Sequence, residues 1–149
     1  MRIQATDERH YLVEVFTKFG FNQDDSQLLA DTLVDADLRG ISSHGIQRLA
    51  WYRRMIKEGT IIPQNKAKII RELPGSVLVD ANQNMGQLAT VLATQKIIEK
   101  AKKTGVAIAV IRNSNHFGTA GYYTRLALEN VIKKRQLISL TLFRMLLFK

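Results

Sequence analysis

The chain has 149 residues, of which 46% are hydrophobic and 23% are charged, proportions typical of a soluble domain with a buried core. It contains no cysteine, which excludes disulfides and thiolate metal sites. Its first residues lack the apolar run of a signal peptide, and no stretch is long and apolar enough to span a membrane. We therefore expect a cytoplasmic protein without a membrane partner.

The net charge of +9 is compatible with a nucleic-acid-binding protein, but its distribution argues against that function. Residues 1–129 hold 17 basic and 13 acidic residues, a net charge of +4. The remaining five positive charges lie in residues 130–149, which contain no acid. The basic excess is mainly a property of this C-terminal segment, so a nucleic-acid partner is not expected.

Three helices are predicted in the first sixty residues from the spacing of their apolar positions. They cover residues 7–19, 23–38 and 43–57. The predicted N-caps are Thr6 for the first helix and Ser42 or Ser43 for the third, and Asn22 directly precedes the second. Glycines at the ends of the three segments favour termination there.

The pattern changes after Pro63, where short β-type runs alternate with one long amphipathic segment. Strands are predicted at 66–72 and 76–81, a helix at 87–103, and a strand at 106–112 that is apolar enough to be buried on both faces. The last three elements form a β-α-β unit with parallel strands. The predicted fold class is mixed α/β, in which a helical segment (1–60) packs on an α/β segment (61–129) or forms a small subdomain of its own.

His116 lies in a polar loop that follows the second parallel strand. Ligands of open parallel sheets bind beyond the carboxyl ends of the strands, where such loops converge. A histidine changes its protonation state near neutral pH, so His116 suits acid-base chemistry on a carbonyl or hydroxyl group. The alternative is that its ring only satisfies backbone groups of the loop.

A second group of polar residues lies in the stretch "SSHGIQRLAWYRR". In a continuous helix, His44, Arg48 and Tyr52 would be spaced at i, i+4 and i+8 and project from nearly one face. Together with Ser43 at the helix start, they would form one side of an anion pocket, because a guanidinium can hold a carboxylate with two parallel hydrogen bonds. The alternative interpretation is a solvated helix face.

The same region also resembles a helix-turn-helix over residues 22–57. The first helix of that motif would carry several aspartates, which would repel phosphates. No glycine-rich dinucleotide or phosphate loop is present, and the histidines His10, His44 and His116 lack the spacing of a metal site. A metal is therefore not expected.

Three stretches, "DADLRGISSHGIQRL", "NMGQLAT" and "RNSNHFGTAGYY", resemble in order and separation the N-terminal part of the type-2 malate/L-lactate dehydrogenase family. That family includes ureidoglycolate, sulfolactate and diketogulonate-type oxidoreductases. The resemblance implies an enzyme that uses NAD or NADP to interconvert a 2-oxo acid and a 2-hydroxy acid, as a homodimer. It also implies a nucleotide-binding domain that is not of the Rossmann type.

The resemblance further implies roles for individual residues. His116 is the acid-base that protonates the substrate carbonyl oxygen, and Arg48 holds the substrate carboxylate. Ser43, His44 and Tyr52 match positions that line the substrate and nicotinamide pocket, and His44 is the residue assigned to cofactor contact. The remaining cofactor-binding residues of the family lie beyond the matching region.

Residues 130–149 depart from the family pattern, because the segment is apolar, basic and free of acids. Family members are commonly more than twice as long and continue at this point into a glycine-containing strand. We expect that a frameshift or a premature stop has replaced the rest of a longer enzyme. An inactive fragment is accordingly the main alternative to an active oxidoreductase.

Overall fold

The computed structural model describes residues 3–132. The helices of this range are α1 (Ala5–Lys18), α2 (Gln23–Leu38), α3 (Leu49–Lys57), α4 (Gly86–Thr104) and α5 (Ala120–Ile132), and the strands are β1 (Lys68–Leu73), β2 (Ser76–Asp80) and β3 (Ile108–Arg112). Two 3₁₀ turns, Ser42–His44 and Ile46–Arg48, precede α3. Of the predicted atypical segment 130–149, residues 130–132 complete α5, and the rest lies outside the described residues.

Helices α1 and α2 pack against each other and bury the apolar faces that their periodicity predicts. Leu12 and Phe16 of α1 and Leu29 and Leu33 of α2 are completely buried in one cluster. Burying each such side chain contributes about 1.5–3 kcal/mol. Asn22, which directly precedes the second predicted helix, caps α2, since its side chain accepts the Asp25 N–H at 3.0 Å. This pair of helices is the support on which the following turns rest.

The predicted cap of the first helix and the predicted single helix at 43–57 are wrong. Helix α1 begins earlier, after Gln4, so Thr6 lies inside it. The region 42–57 consists of the two 3₁₀ turns followed by α3, and the first turn has no side-chain cap from Ser42 or Ser43. The break falls at Gly45, whose extended backbone (φ −92°, ψ −148°) is not helical. A helix-turn-helix interpretation therefore loses its continuous recognition helix.

The sheet has the strand order β1-β2-β3. Strands β1 and β2 are antiparallel around the Pro74–Gly75 turn, whereas β2 and β3 are parallel, as the predicted β-α-β unit requires. Helix α4 connects the parallel pair and packs on the sheet. The second apolar cluster consists of residues from these elements, including Val77, Val79, Ala89, Ala93 and Ile111.

Strand β3 is not buried on both faces, contrary to the prediction from its apolar run. In the described part of the chain it is an edge strand with β2 as its neighbour. Ile108 is 63% exposed and Val110 is 38% exposed. The physical reason is that α4 covers one face of the sheet, and a hydrophobic run alone does not show how many elements cover a strand.

The helical portion packs on the β-α-β unit through the start of α4. Met85 precedes α4 and is completely buried in the cluster formed by α1 and α2, and Leu88 packs against the same cluster. The mixed α/β fold predicted from the sequence is thereby confirmed. In residues 3–132, no helix combines the length and the apolar character needed to cross a membrane.

Candidate active site

The loop between β3 and α5 is held against the N-terminus of α4. The side-chain amide of Asn115 donates to three backbone carbonyls, those of Thr60, Gln83 and Asn84. The Gly86 N–H donates to the carbonyl of His116 at 3.1 Å. A Cβ atom at Gly86 would lie 2.3 Å from the carbonyl oxygen of Asn115, so the close approach of loop and helix requires glycine. These contacts fix the backbone on either side of His116.

The His116 ring takes part in a hydrogen-bond chain that reaches the interior. The Tyr52 hydroxyl lies 2.9 Å from Nδ1 of His116, and the Gly118 N–H donates to the same nitrogen at 3.3 Å. The Gln87 side-chain amide donates to the Tyr52 oxygen at 2.9 Å. Because a backbone N–H can only donate, Nδ1 is an acceptor and the neutral ring carries its proton on Nε2. Tyr52 then donates its hydroxyl proton to Nδ1.

Tyr52 has a different setting from the one predicted for it. The predicted helical stripe placed it on one side of an anion pocket, but α3 buries it completely next to Phe16. Burial raises the pKa of Tyr52 to about 12, against a smaller opposing effect of the hydrogen bond from Gln87. The phenol is therefore a neutral donor at physiological pH. Its hydroxyl contacts Nδ1 of His116 from the buried side of the site.

Gln87 is a residue that the sequence analysis did not single out. Its side chain is completely buried, and its Oε1 has no hydrogen-bond partner among the described residues. The sequence signal that could have indicated this role is a glutamine among mostly apolar residues in the first turn of α4. Periodicity alone does not distinguish such a residue from a polar position on the outer face.

His44 and Arg48 converge on His116 although the helix that was predicted to carry them is broken. The rings of His44 and His116 have centroids 5.3 Å apart. Arg48 donates from Nε to the backbone carbonyl of Ser43 at 2.6 Å, and its guanidinium carbon lies 5.6 Å from the centre of the Trp51 ring. Trp51 in turn meets the edge of the His116 ring, with centroids 5.8 Å apart.

Ser43 is exposed, and its hydroxyl lies 3.0 Å from Nδ1 of His44. Two segments distant in the sequence thus bring all five predicted site residues into one connected group: Ser43, His44, Arg48, Tyr52 and His116. Within residues 3–132, no group of three or more histidine, aspartate or glutamate side chains could hold a metal ion. The group contains two imidazoles, one guanidinium and one phenol, a composition that suits an anion and a proton transfer.

The electrostatic surroundings keep His116 neutral. Its pKa falls from 6.5 to about 4, first because burial disfavours the charged ring, and then because Arg48 and His44 repel an added positive charge. An anion bound beside Arg48 would offset part of that repulsion. The protonation of His116 therefore depends on the net charge around Arg48.

The comparison with known proteins agrees with this geometry. A profile of malate/L-lactate dehydrogenases matches residues 3–133. The chain belongs to this family. The family resemblance seen in the sequence is thereby confirmed.

Three relatives show how much of the family fold is present. The malate dehydrogenase of Pyrococcus abyssi is 45% identical over 129 residues, which are 87% of this chain and 36% of that protein. The L-sulfolactate dehydrogenase of Methanocaldococcus jannaschii is 40% identical over 129 residues, covering 87% of this chain and 38% of the relative. The structure of malate dehydrogenase from Pyrococcus horikoshii OT3 superposes with a TM-score of 0.83 at 41% identity, covering 87% and 37% of the two chains. The chain therefore spans little more than a third of the length of these relatives.

Proposed function

We propose that this chain carries the substrate-binding and acid-base part of a 2-hydroxy-acid dehydrogenase that uses NAD or NADP. The observation that supports this function is the proximity of His116, from the loop after β3, to His44 and Arg48, from the two 3₁₀ turns. The substrate would be a small 2-oxo or 2-hydroxy acid. The family membership supports the same reaction class, and two of the relatives are named for malate and L-sulfolactate.

Arg48 binds the carboxylate of the substrate. Its Nε is committed to the carbonyl of Ser43 and its planar group lies over Trp51, so the orientation of the guanidinium is fixed before a ligand arrives. The two terminal nitrogens form no ion pair with another described residue, and they can hold a carboxylate by two parallel hydrogen bonds. Each such bond to a charged group contributes roughly 1.5–3 kcal/mol.

His116 provides the proton. With Nδ1 occupied as an acceptor, its Nε2–H is free to donate to the oxo oxygen of a bound acid. A substrate carboxylate beside Arg48 makes the charged ring less costly, so the ring takes up one proton from solvent and gives its Nε2 proton to that oxygen as the oxygen becomes a hydroxyl. The ring then returns to its neutral form, and one solvent proton is consumed in each reduction. Tyr52 stays a neutral phenol, because burial raises its pKa to about 12.

The cofactor implied by the family resemblance is compatible with one feature of the site. The paired rings of His44 and His116, with Trp51 at the edge, form an aromatic side against which a flat nicotinamide ring can pack, and His44 is the residue that we assign to this contact. Nicotinamide supplies the hydride that reaches the substrate carbon. The homodimer, the cytoplasmic location and the division at residue 60 stay predictions.

A binding experiment on the 149-residue chain tests this function. Oxamate, a stable analogue of a 2-oxo acid, is titrated while the ring signals of the histidines are followed by NMR. We expect oxamate to shift the signals of His44 and His116, and acetate, which lacks the oxo group, to shift them much less. Arg48→Met should weaken oxamate binding by about tenfold or more, the effect of losing a hydrogen-bonded charge.

The matched control is Arg53→Met, which removes an exposed arginine from α3, the helix that directly follows Arg48. It should leave the affinity for oxamate unchanged. Absence of any shift at His44 and His116 at millimolar oxamate would contradict the proposed function. A parallel fluorescence titration with NADH and NADPH distinguishes a chain that binds cofactor from an inactive fragment.

A further inference from the structure

The two 3₁₀ turns meet at a joint formed by Gly45 and Ile46, and an aspartate of α2 contacts this joint. The Oδ2 atom of Asp37 accepts the backbone N–H of Ile46 at 2.6 Å. A Cβ atom at Gly45 would lie 1.9–2.2 Å from the carboxylate atoms of Asp37. Because the φ of Gly45 is −92°, its backbone does not need the left-handed freedom of glycine. Glycine is required there by the close approach of the carboxylate.

This joint determines where two proposed site residues lie. His44 directly precedes Gly45, and the Arg48 N–H donates to the Gly45 carbonyl at 2.9 Å. The turn that ends at His44 is closed by a bond from its N–H to the Ile41 carbonyl, also at 2.9 Å. A displacement of Gly45 and Ile46 would therefore move the His44 ring and the Arg48 guanidinium together.

We propose that Asp37, supported by Glu8 of α1, is a positioning residue that holds His44 and Arg48 in place for binding of the substrate anion. The inference rests on the proposed function for its consequence on binding. Its structural part, the dependence of the His44 ring position on Asp37, can be measured without any ligand.

Glu8 explains how the carboxylate of Asp37 is kept in this place. Glu8 is only 7% exposed, its carboxyl lies close enough to Asp37 to affect its own ionisation, and its Oε1 has no partner among the described residues. Burial, followed by the proximity of Asp37, raises the pKa of Glu8 to about 7, against the opposing charge of Arg9. Near neutral pH Glu8 therefore carries less negative charge beside Asp37, whose carboxylate accepts the Ile46 N–H.

The test compares Asp37→Ala and Asp37→Asn with the unmodified chain. Asp37→Ala should move the ring signals of His44 in NMR spectra and weaken oxamate binding by about tenfold, the effect of one lost hydrogen bond to a charged group. Asp37→Asn keeps an oxygen that can accept the Ile46 N–H. Its effects on the His44 signals and on oxamate binding should therefore be smaller than those of Asp37→Ala. Asp24→Asn, which removes an exposed charge from the same helix, is the matched control and should change neither measurement.

A double-mutant cycle provides a second measurement that does not depend on ligand. Gly45→Ala should destabilise the unmodified chain strongly and the Asp37→Ala chain much less, because the carboxylate that blocks the new methyl group is gone. Additive effects of the two changes, or unmoved His44 signals in both Asp37 variants, would overturn the inference. Failure of the unmodified chain to bind oxamate would refute the proposed function alone, since the His44 signals and the cycle are measured without it.

Discussion

The phenol oxygen of Tyr52 lies 2.9 Å from Nδ1 of His116, although the two residues are 64 positions apart in the sequence. The contact connects the buried cluster of α1, α2 and α3 to the loop that follows β3. Together with the Gly118 N–H it occupies Nδ1 and leaves Nε2 free to face a substrate. The tautomer of the proposed acid-base is thus held by a backbone N–H of its own loop and by a residue of the helical core.

Replacing Tyr52 by phenylalanine should change the tautomer of His116 while keeping the core filled. The ring of phenylalanine occupies the same buried volume, but Nδ1 loses its hydroxyl donor and the Gln87 amide loses its acceptor. An unpaired buried amide costs about 1–3 kcal/mol. Long-range proton–nitrogen NMR spectra should then show a fraction of the ring protonated on Nδ1.

Tyr11→Phe is the matched control, because Tyr11 is exposed on α1. It should leave both the tautomer and the stability of the chain unchanged. A Tyr52→Phe chain in which His116 stays entirely protonated on Nε2 would show that the Gly118 N–H is sufficient and that the Tyr52 contact is not needed.

Replacing Arg48 by methionine should raise the pKa of His116. The positive charge of Arg48 is the second cause of its depression to about 4, after burial. Without that charge the imidazolium costs less, so the midpoint of the His116 titration should move toward 6.5, its ordinary value. NMR titration of the ring measures the midpoint directly. Saturating oxamate should move the His116 midpoint in the same direction in the unmodified chain. An unmoved midpoint in both experiments would exclude a coupling between His116 protonation and the charge of Arg48.

The dependence of stability on pH should contain two opposing contributions. The pKa of His116 is about 4 when folded and 6.5 ordinarily, so the unfolded chain binds more protons between these values. The contribution of His116 to the free energy of unfolding therefore falls as pH drops from 6.5 to 4. The pKa of Glu8 is about 7 when folded and 4.5 ordinarily, so the contribution of Glu8 rises as pH drops from 7 to 4.5.

Urea unfolding at several pH values should separate these contributions. Relative to the unmodified chain, His116→Asn should gain stability as pH falls below 6.5, and Glu8→Gln should lose stability as pH falls below 7. His10→Asn, at an exposed position of α1, is the control for replacement of a histidine. Parallel pH profiles for all four chains would contradict both assigned pKa shifts.

Replacing Gly86 by alanine should disturb the loop that carries His116 through the backbone. The new methyl group would meet the carbonyl oxygens of Asn115 at 2.3 Å and of His116 at 2.7 Å. Overpacking of this kind costs about 1–3 kcal/mol, measurable by urea unfolding, and the His116 signals should shift in NMR spectra. Gly75→Ala is the comparison, because its methyl group would meet its nearest atom at an ordinary 3.5 Å. Equal effects of the two changes would argue against the close packing of loop and helix.

The sequence by itself determined the family, most of the elements and the position of the loop that carries His116. The apolar spacing of α2 and the capping residue Asn22 are local signals, and local signals are sufficient to place a helix. The parallel pairing of β2 and β3 followed from the long amphipathic segment between them, because a parallel connection needs such a crossover. Three quoted motifs in the correct order were enough for the resemblance to the dehydrogenase family.

The tertiary structure alone decided how the site is assembled. The break falls at Gly45 beside the carboxylate of Asp37, a contact that no pattern within residues 43–57 reveals. The roles of Tyr52 and Gln87 depend on three helices and a loop meeting at one point, and the exposure of β3 depends on which elements cover the sheet. Periodicity records how one segment divides its polar and apolar faces. It does not record which distant group each face meets, because that is set by packing across the whole fold.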